Sequence, residues 1–180
     1  MNLLVIILGA ISSLVALILI VALFIKNEYA LYQEIIINKP IAEVFNYISL
    51  LKNQDQYNKW WTADPNAKKD FKGTDGTVGF IAAWNSENKG VGKGEQEIKV
   101  IKENDRLDCE IRFERPFEGV SQTVMTTASK GRNQTRVSWM FNGRNKYPMN
   151  AIFTFFSLDK ILSRDLQESL TKLKSNLENP

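Results

Sequence analysis

Residues 29–49, YALYQEIIINKPIAEVFNYIS, contain the change of hydrophobic period on which the fold prediction rests. Apolar residues alternate over residues 28–37, which predicts a strand with one covered face. After Pro40 the apolar spacing becomes three and four, which predicts an amphipathic helix packed on the sheet. The strand's inward set is Tyr29, Leu31, Ile35 and Ile37, and the helix's inward set is Ile41, Val44, Phe45 and Ile48. The domain is therefore expected to begin with a strand followed by a helix.

An uncharged apolar segment from Leu3 to Ile25 precedes this strand. As a helix it would span about 34 Å, enough for a hydrocarbon core of about 30 Å, so we predict a transmembrane anchor over residues 1–27. A signal peptide would have a charged start, a shorter apolar region and a small-residue cleavage site, and the segment has none of these. A buried helix is the other alternative. The flanking charges, Lys26 and Glu28, favour neither orientation of the following domain in the membrane.

Residues 67–146 have the pattern of consecutive antiparallel strands joined by tight turns after a short helical stretch through Tyr57 to Trp61. Alternation places Leu107, Cys109, Ile111 and Phe113 on one face and charged residues on the other. In the predicted strand from Val91 to Val100 the charged residues occupy alternate positions. The inward set there is therefore predicted to be Gly92, Gly94, Gln96, Ile98 and Val100.

The last predicted element is one long amphipathic helix from about Pro148 to Leu177. Its apolar stripe consists of Ile152, Phe156, Leu162, Leu166, Leu170, Leu173 and Leu177. A run of antiparallel strands followed by such a helix predicts an α+β fold in which a curved sheet wraps around the helix. A gap between the sheet and the helix would be a ligand pocket.

The start of this helix has more large apolar surface than one stripe can bury. Phe153, Phe155 and Phe156 stand together beside Met149 and Ile152, and neighbouring helix residues diverge by about 100°. We predict that this turn lies at the pocket mouth and contacts lipid. The alternative is that a neighbouring segment folds over the aromatic rings and covers them.

Composition excludes several classes of function. The 23 basic and 20 acidic residues are interspersed along the chain, which predicts no nucleic-acid partner. The chain has no histidine, which removes the usual zinc sites and histidine-based catalysis, so no metal and no cofactor are predicted. Its single cysteine, Cys109, cannot form an internal disulfide and has no neighbour in sequence that would lower the pKa of its thiol.

The chain resembles the START-like superfamily, also labelled SRPBCC or polyketide cyclase/dehydrase-like. The resemblance runs through YALYQEIIINKP (29–40), IAEVFNYIS (41–49), GVGKGEQEI (90–98), TRVSWMFNG (135–143) and RDLQESLTKLK (164–174), in order over residues 28–177. It implies a helix-grip fold over residues 28–180, with a mostly apolar cavity that binds lipids, polyketides or other hydrophobic molecules. Many bacterial members carry an N-terminal membrane helix, so it also implies a single-pass protein of a bacterial cytoplasmic membrane.

Eleven residues are candidates for the cavity wall, each with a structural alternative. Gly92 and Gly94 either leave space for a ligand or relieve a tight bend, and the amide of Gln96 either meets the ligand or bonds the neighbouring backbone. Gln122 shares the second ambiguity. The aromatic candidates suit a ligand wall and an ordinary core equally. Besides those two glycines and Gln96, the predicted set is Trp84, Ile98, Cys109, Ile111, Phe113, Trp139, Phe141 and Phe156.

Three functions are compatible with these patterns. The first is a membrane-anchored binding protein that holds a hydrophobic small molecule or lipid between the sheet and the last helix. The second is an aromatase- or cyclase-type enzyme on the same scaffold, and the third is a protein-interaction or stress module with a vestigial cavity. We favour the binding protein, because the charged residues that could act as acid or base are predicted to face water.

Overall fold

The computed structural model describes residues 2–179, and its first element is an N-terminal helix, α1 (Leu3–Phe24). Its most apolar window has a mean hydropathy of 3.1, so the helix is long and apolar enough to cross a membrane. Ala22 is its buried residue, and most of the other side chains are exposed. Little of its apolar surface is therefore covered by the rest of the chain.

The strand and helix predicted from residues 28–49 are confirmed. Strand β1 spans Glu28–Ile37 and helix α2 spans Ile41–Ser49, with Val44, Phe45 and Ile48 buried. A short 3-10 turn leads to helix α3 (Gln54–Tyr57), which is followed by helix α4 (Lys59–Thr62). The side chain of Asn58 caps α4 by accepting a hydrogen bond from the backbone N–H of Trp60 at 3.0 Å.

The predicted antiparallel strands form one seven-stranded sheet in the order β1-β7-β6-β5-β4-β3-β2. The remaining strands are β2 (Lys68–Lys72), β3 (Ile81–Asn85), β4 (Lys93–Lys102), β5 (Arg106–Arg115), β6 (Gly119–Gly131) and β7 (Gln134–Arg144). Every neighbouring pair is antiparallel. The sheet and the helix packed on it confirm the predicted α+β helix-grip architecture.

The alternation predicted for β4 holds only as far as Ile98. The strand pairs Ile98 with Cys109 but Val100 with Asp108, so a bulge at Lys99 inserts one extra residue opposite β5. After a bulge the side chains change face. Val100, which was predicted to point inward, is therefore exposed, and Ile101 packs against the core in its place.

The single C-terminal helix predicted from Pro148 to Leu177 is wrong, because the chain forms two helices there. Helix α5 spans Met149–Phe155 and helix α6 spans Leu158–Glu178, and Ser157 between them has the left-handed dihedrals φ 49° and ψ 44°. This residue ends the helical register. Leu166, Leu170, Leu173 and Leu177 of the predicted stripe are buried, whereas Ile152 and Phe156 before the break are exposed.

Helix α6 crosses the sheet from one end to the other. Its first turns lie near the end of the sheet where β1 begins, which we call the α1 end, and Leu162 packs there. At the opposite end Glu178 accepts a hydrogen bond from the backbone N–H of Asn38 at 2.6 Å. Leu166, Leu170 and Leu173 have no exposed surface, and each such burial contributes about 1.5–3 kcal/mol. The opposite end is thus the packed core, which leaves the α1 end for a cavity.

Candidate functional site

A cavity of about 260 Å³ lies at the α1 end, between the concave face of the sheet, α4 and the beginning of α6. Its wall contains all four tryptophans of the chain, together with other aromatic and aliphatic side chains from β1, β5, β7 and α6. The larger wall residues are Tyr29, Leu31, Trp60, Trp61, Trp84, Ile111, Phe113, Trp139, Phe141 and Leu162. Such a lining favours an apolar ligand.

The aromatic side chains support one another from different elements. The ring of Trp84 lies 5.9 Å from that of Trp61 and 6.0 Å, edge-on, from that of Phe113. A third pair of wall rings, Trp60 and Phe141, has centroids 6.0 Å apart. Pairs of this geometry contribute roughly 0.5–1.5 kcal/mol each beyond area burial. These contacts between rings of different elements therefore stabilise the positions of the wall residues.

The polar groups in the wall are largely occupied by neighbouring protein atoms. Asn58 donates to Gln54 Oε1 at 2.7 Å, and its own oxygen caps α4. The indole N–H of Trp139 donates to Thr123 Oγ1 at 2.6 Å, and that hydroxyl donates to the Met140 carbonyl at 3.2 Å. Because these groups already have partners, they offer little hydrogen bonding to a ligand.

Lys69 is the charged residue of the wall among residues 2–179. Its ammonium group forms an ion pair with Asp55 at 2.6 Å and lies 5.2 Å from the ring centroid of Trp61. The exposed residues Ala63 and Gly90 lie near it, in the loop after α4 and in the β3–β4 turn. These residues form the solvent-facing mouth of the cavity.

Six of the eleven predicted wall residues line the cavity, and five do not. Those that line it are Trp84, Gln96, Ile111, Phe113, Trp139 and Phe141. Ile98 and Cys109 lie one step deeper, paired with each other across β4 and β5 in the closed core. Phe156 is 69% exposed at the break between α5 and α6, because the left-handed residue after it stops the predicted register. Gln122 lies on the exposed face and donates to Glu110 at 3.2 Å.

Neither predicted glycine leaves space for a ligand. A Cβ atom on Gly94 would lie 2.7 Å from the ring of Trp84 and 2.6 Å from the carbonyl oxygen of Arg112. The volume above Gly94 is therefore filled by Trp84. Gly92 has φ +66° in the turn before β4, and a Cβ atom there would run into the carbonyl of Arg115. Both positions allow close approach of neighbouring groups, a role different from the relief of a tight bend that was the predicted alternative.

Several wall residues were not among those predicted. Tyr29 and Leu31 follow from the alternation of β1, and Thr123 from that of β6, so a strand-by-strand list of inward positions would have found them. Asn58, Trp60, Trp61, Ala63, Gly90 and Val91 lie in short helices and turns, where no periodicity assigns a face. Their position depends on how these segments fold over the end of the sheet.

The thiol of Cys109 gives a pH-dependent prediction. Burial raises its pKa from 9.0 to about 12, and the hydrogen bond with Gln96 acts in the opposite, lowering direction. Above pH 9 the unfolded chain releases this proton while the folded chain keeps it, so the free energy of unfolding should fall with rising pH, by up to about 1.4 kcal/mol per unit. Denaturant titrations of the detergent-solubilised protein at pH 8, 9 and 10 should show this decline, and Cys109→Ala should show a smaller one. Equal declines in the two proteins would contradict the assignment.

Comparison with known proteins identifies the fold. No protein-family profile matches the chain, and no curated protein matches it by sequence. Among solved structures, truncated norcoclaurine synthase from Thalictrum flavum is similar with a TM-score of 0.63 at 10% identity, over 85% of this chain and 95% of that one. The chain has a helix-grip α+β fold.

Proteins from two bacteria have the same helix-grip fold. A protein from Thermobifida fusca matches with a TM-score of 0.60 at 12% identity, covering 82% of this chain and 92% of that chain. A protein from Chromobacterium violaceum matches with a TM-score of 0.55 at 16% identity, covering 86% and 99% respectively. At these identities the similarity establishes the helix-grip fold alone.

Proposed function

We propose that this protein is a membrane-anchored binding protein that holds an apolar small molecule in the aromatic cavity. The observation that carries the proposal is the cavity of about 260 Å³ with its tryptophan-rich wall. Norcoclaurine synthase, which shares the fold, has been solved with dopamine and hydroxybenzaldehyde bound. That structure shows that another protein with the helix-grip fold binds small ring compounds, which supports the proposal.

The volume narrows the class of ligand. An apolar cavity of about 150 Å³ accommodates benzene, so about 260 Å³ suits a molecule of roughly two fused rings or a compact terpenoid. A lipid with two long acyl chains would extend well outside the wall. We therefore favour a compact aromatic or alicyclic ligand over an enclosed membrane lipid.

The wall supports binding rather than catalysis. Among residues 2–179, the titratable wall residues are Tyr29 and Lys69, and no carboxylate or cysteine lines the cavity. Lys69 is already paired with Asp55. We favour binding because this ion pair engages the ammonium group that is best suited to acid–base or nucleophilic chemistry in the wall.

The anchor is assigned to residues 1–27 and the binding domain to residues 28–180. Helix α1 has 22 residues, about 33 Å at 1.5 Å per residue, which matches a hydrocarbon core of about 30 Å. Its uncharged surface is left uncovered by the domain. A bilayer would cover that surface and would keep the cavity close to apolar molecules dissolved in lipid.

Intrinsic fluorescence provides the test, because all four tryptophans surround the cavity. N-phenyl-1-naphthylamine, an apolar acceptor of tryptophan emission, should quench the full-length protein in detergent saturably and with one site. Ile111→Trp places a larger side chain in the wall and should weaken binding by at least about tenfold, since filled volume is no longer open to the probe.

Val120→Trp is the matched control for this substitution. It makes a similar change on the neighbouring strand at an exposed position, so probe affinity should stay within about twofold of that of the parent. Absence of saturable quenching in the parent protein, or equal affinity in the Ile111→Trp protein, would overturn the proposed function.

A further inference from the structure

Helix α5 is attached to the end of α1. The side-chain N–H groups of Asn150 donate to the carbonyl oxygens of Ala22 at 2.7 Å and Ile25 at 3.1 Å, and the hydroxyl of Tyr147 donates to that of Leu19 at 3.3 Å. Ala22 and Ala151 are buried at this contact region. These bonds hold α5 beside the last turns of the proposed anchor, at the height of the membrane surface.

The outer side of α5 is apolar and uncovered. Ile152 is 41% exposed, Phe155 61% and Phe156 69%. This face belongs to a helix that is bonded to the end of the proposed anchor, and aromatic residues beside the end of a transmembrane helix are typical of the membrane interface. The bilayer surface is therefore the occupant of this face, and it brings the inner side of α5 close to lipid.

A stack of aromatic rings lies between the inner side of α5 and the ligand cavity. The ring of Phe153 stacks on Tyr29 at 4.5 Å, and Tyr29 in turn lies parallel to Phe141 at 6.3 Å. Tyr29 and Phe141 belong to the cavity wall. On the other side, Tyr29 and Phe153 line a second pocket of about 430 Å³, which we call the junction pocket, with Ile25 and Asn150 in its wall.

The junction pocket has an amphipathic lining. Lys26, Glu28, Asp159 and Lys160 contribute charged groups to it. The side-chain oxygen of Asn150 is buried and has no hydrogen-bond partner within residues 2–179. This pocket has both charged groups and aromatic rings in its lining and lies beside the end of the proposed anchor, on the path of an apolar molecule that leaves the lipid.

We infer that Tyr29 and Phe153 close a membrane-side entrance, through which an apolar ligand passes from the bilayer by way of the junction pocket into the cavity. This inference rests on the proposed function. The ligand would then come from the lipid phase. The Tyr29 ring would close the entrance in addition to lining the cavity. The competing route is the solvent-facing mouth beside Ala63 and Gly90.

The test measures the rate of uptake with the full-length protein in phosphatidylcholine vesicles. N-phenyl-1-naphthylamine is added in a stopped-flow instrument, and quenching of tryptophan emission reports its arrival in the cavity. Removing one ring of the stack should accelerate quenching roughly two- to tenfold in Tyr29→Ala and in Phe153→Ala, as expected for the loss of one aromatic pair.

A further variant serves as a control for this rate. Tyr32→Ala removes the same side chain from the solvent face of β1, where Tyr32 is 52% exposed and lines neither pocket, so the uptake rate should not change. Should the Tyr29→Ala chain fail to unfold cooperatively, Phe153→Ala decides the result, because Phe153 is not part of the cavity wall.

The outcomes separate the entrance from the binding function. Normal equilibrium quenching with no acceleration in Phe153→Ala, or equal acceleration in Tyr32→Ala, would overturn the membrane-side entrance and leave the binding function standing. No equilibrium quenching of the parent protein would remove the binding function, and the entrance with it.

Discussion

Deleting residues 1–26 should move the protein from the membrane fraction to the soluble fraction almost completely. The full-length chain is expected to stay in the pellet after a carbonate wash, because α1 exposes an apolar surface with a mean hydropathy of 3.1 that a bilayer would cover. The shortened chain keeps the whole buried core from Leu31 to Leu177. Fractionation followed by immunoblotting measures the change.

A matched control for this deletion places charge in the helix without shortening the chain. Leu14→Arg together with Leu17→Arg adds two charges near the centre of α1, each at a cost of about 2.5–3.5 kcal/mol for insertion, and should also release much of the protein. The intact mass of the membrane-bound chain should include residues 1–27. Release of the unaltered protein by carbonate, or a mass that lacks this segment, would contradict an anchor.

Replacing Gly94 by leucine should destabilise the fold and weaken ligand binding at least about tenfold. The new side chain would meet the ring of Trp84 and the backbone of Arg112, so the indole must leave its place or β4 must separate from β5. Overpacking of this kind costs about 1–3 kcal/mol or more. An indole displaced into the cavity would occupy the space of the probe, so affinity for N-phenyl-1-naphthylamine should fall by at least about tenfold.

Gly119→Leu is the control for this substitution, because a Cβ atom at Gly119 has no neighbour within 4 Å. Its free energy of unfolding should stay within about 0.5 kcal/mol of the parent value. Thermal unfolding, tryptophan emission and probe titration of both variants measure the difference. Unchanged emission and affinity in a stable Gly94→Leu protein would show that Trp84 is not packed on this glycine.

The order of the elements and their inward faces could be predicted from the sequence. Strand β1, helix α2, the turns between the strands and the buried leucines of α6 all follow local periods, in which each side chain's direction depends on its neighbours in the chain. The same periods place Trp84, Ile111, Phe113, Trp139 and Phe141 on covered faces. Alternation cannot, however, distinguish a face that meets a ligand from a face that meets another side chain.

The predicted positions that differ from the structure are those where tertiary contacts override the local hydrophobic period. Val100 changes face because a bulge at Lys99 inserts an extra residue opposite β5. Gly94 gives its space to Trp84, a residue ten positions away that reaches it across a strand pair. Phe156 lies on the surface because left-handed Ser157 divides the helix, and Asn150 then attaches the first part to α1.

The sequence by itself determined the apolar N-terminal helix, the antiparallel strands and the amphipathic helix that packs on them, since hydrophobic period and uncharged length are properties of neighbouring residues. Only the tertiary structure decided where the core stops and the cavity begins. That boundary depends on how Trp60 and Trp61, in a helix of four residues, fold over the end of the sheet to meet Trp84 and Phe141. The size and position of the cavity depend on packing between segments that are distant in the chain, so the local sequence pattern cannot predict them.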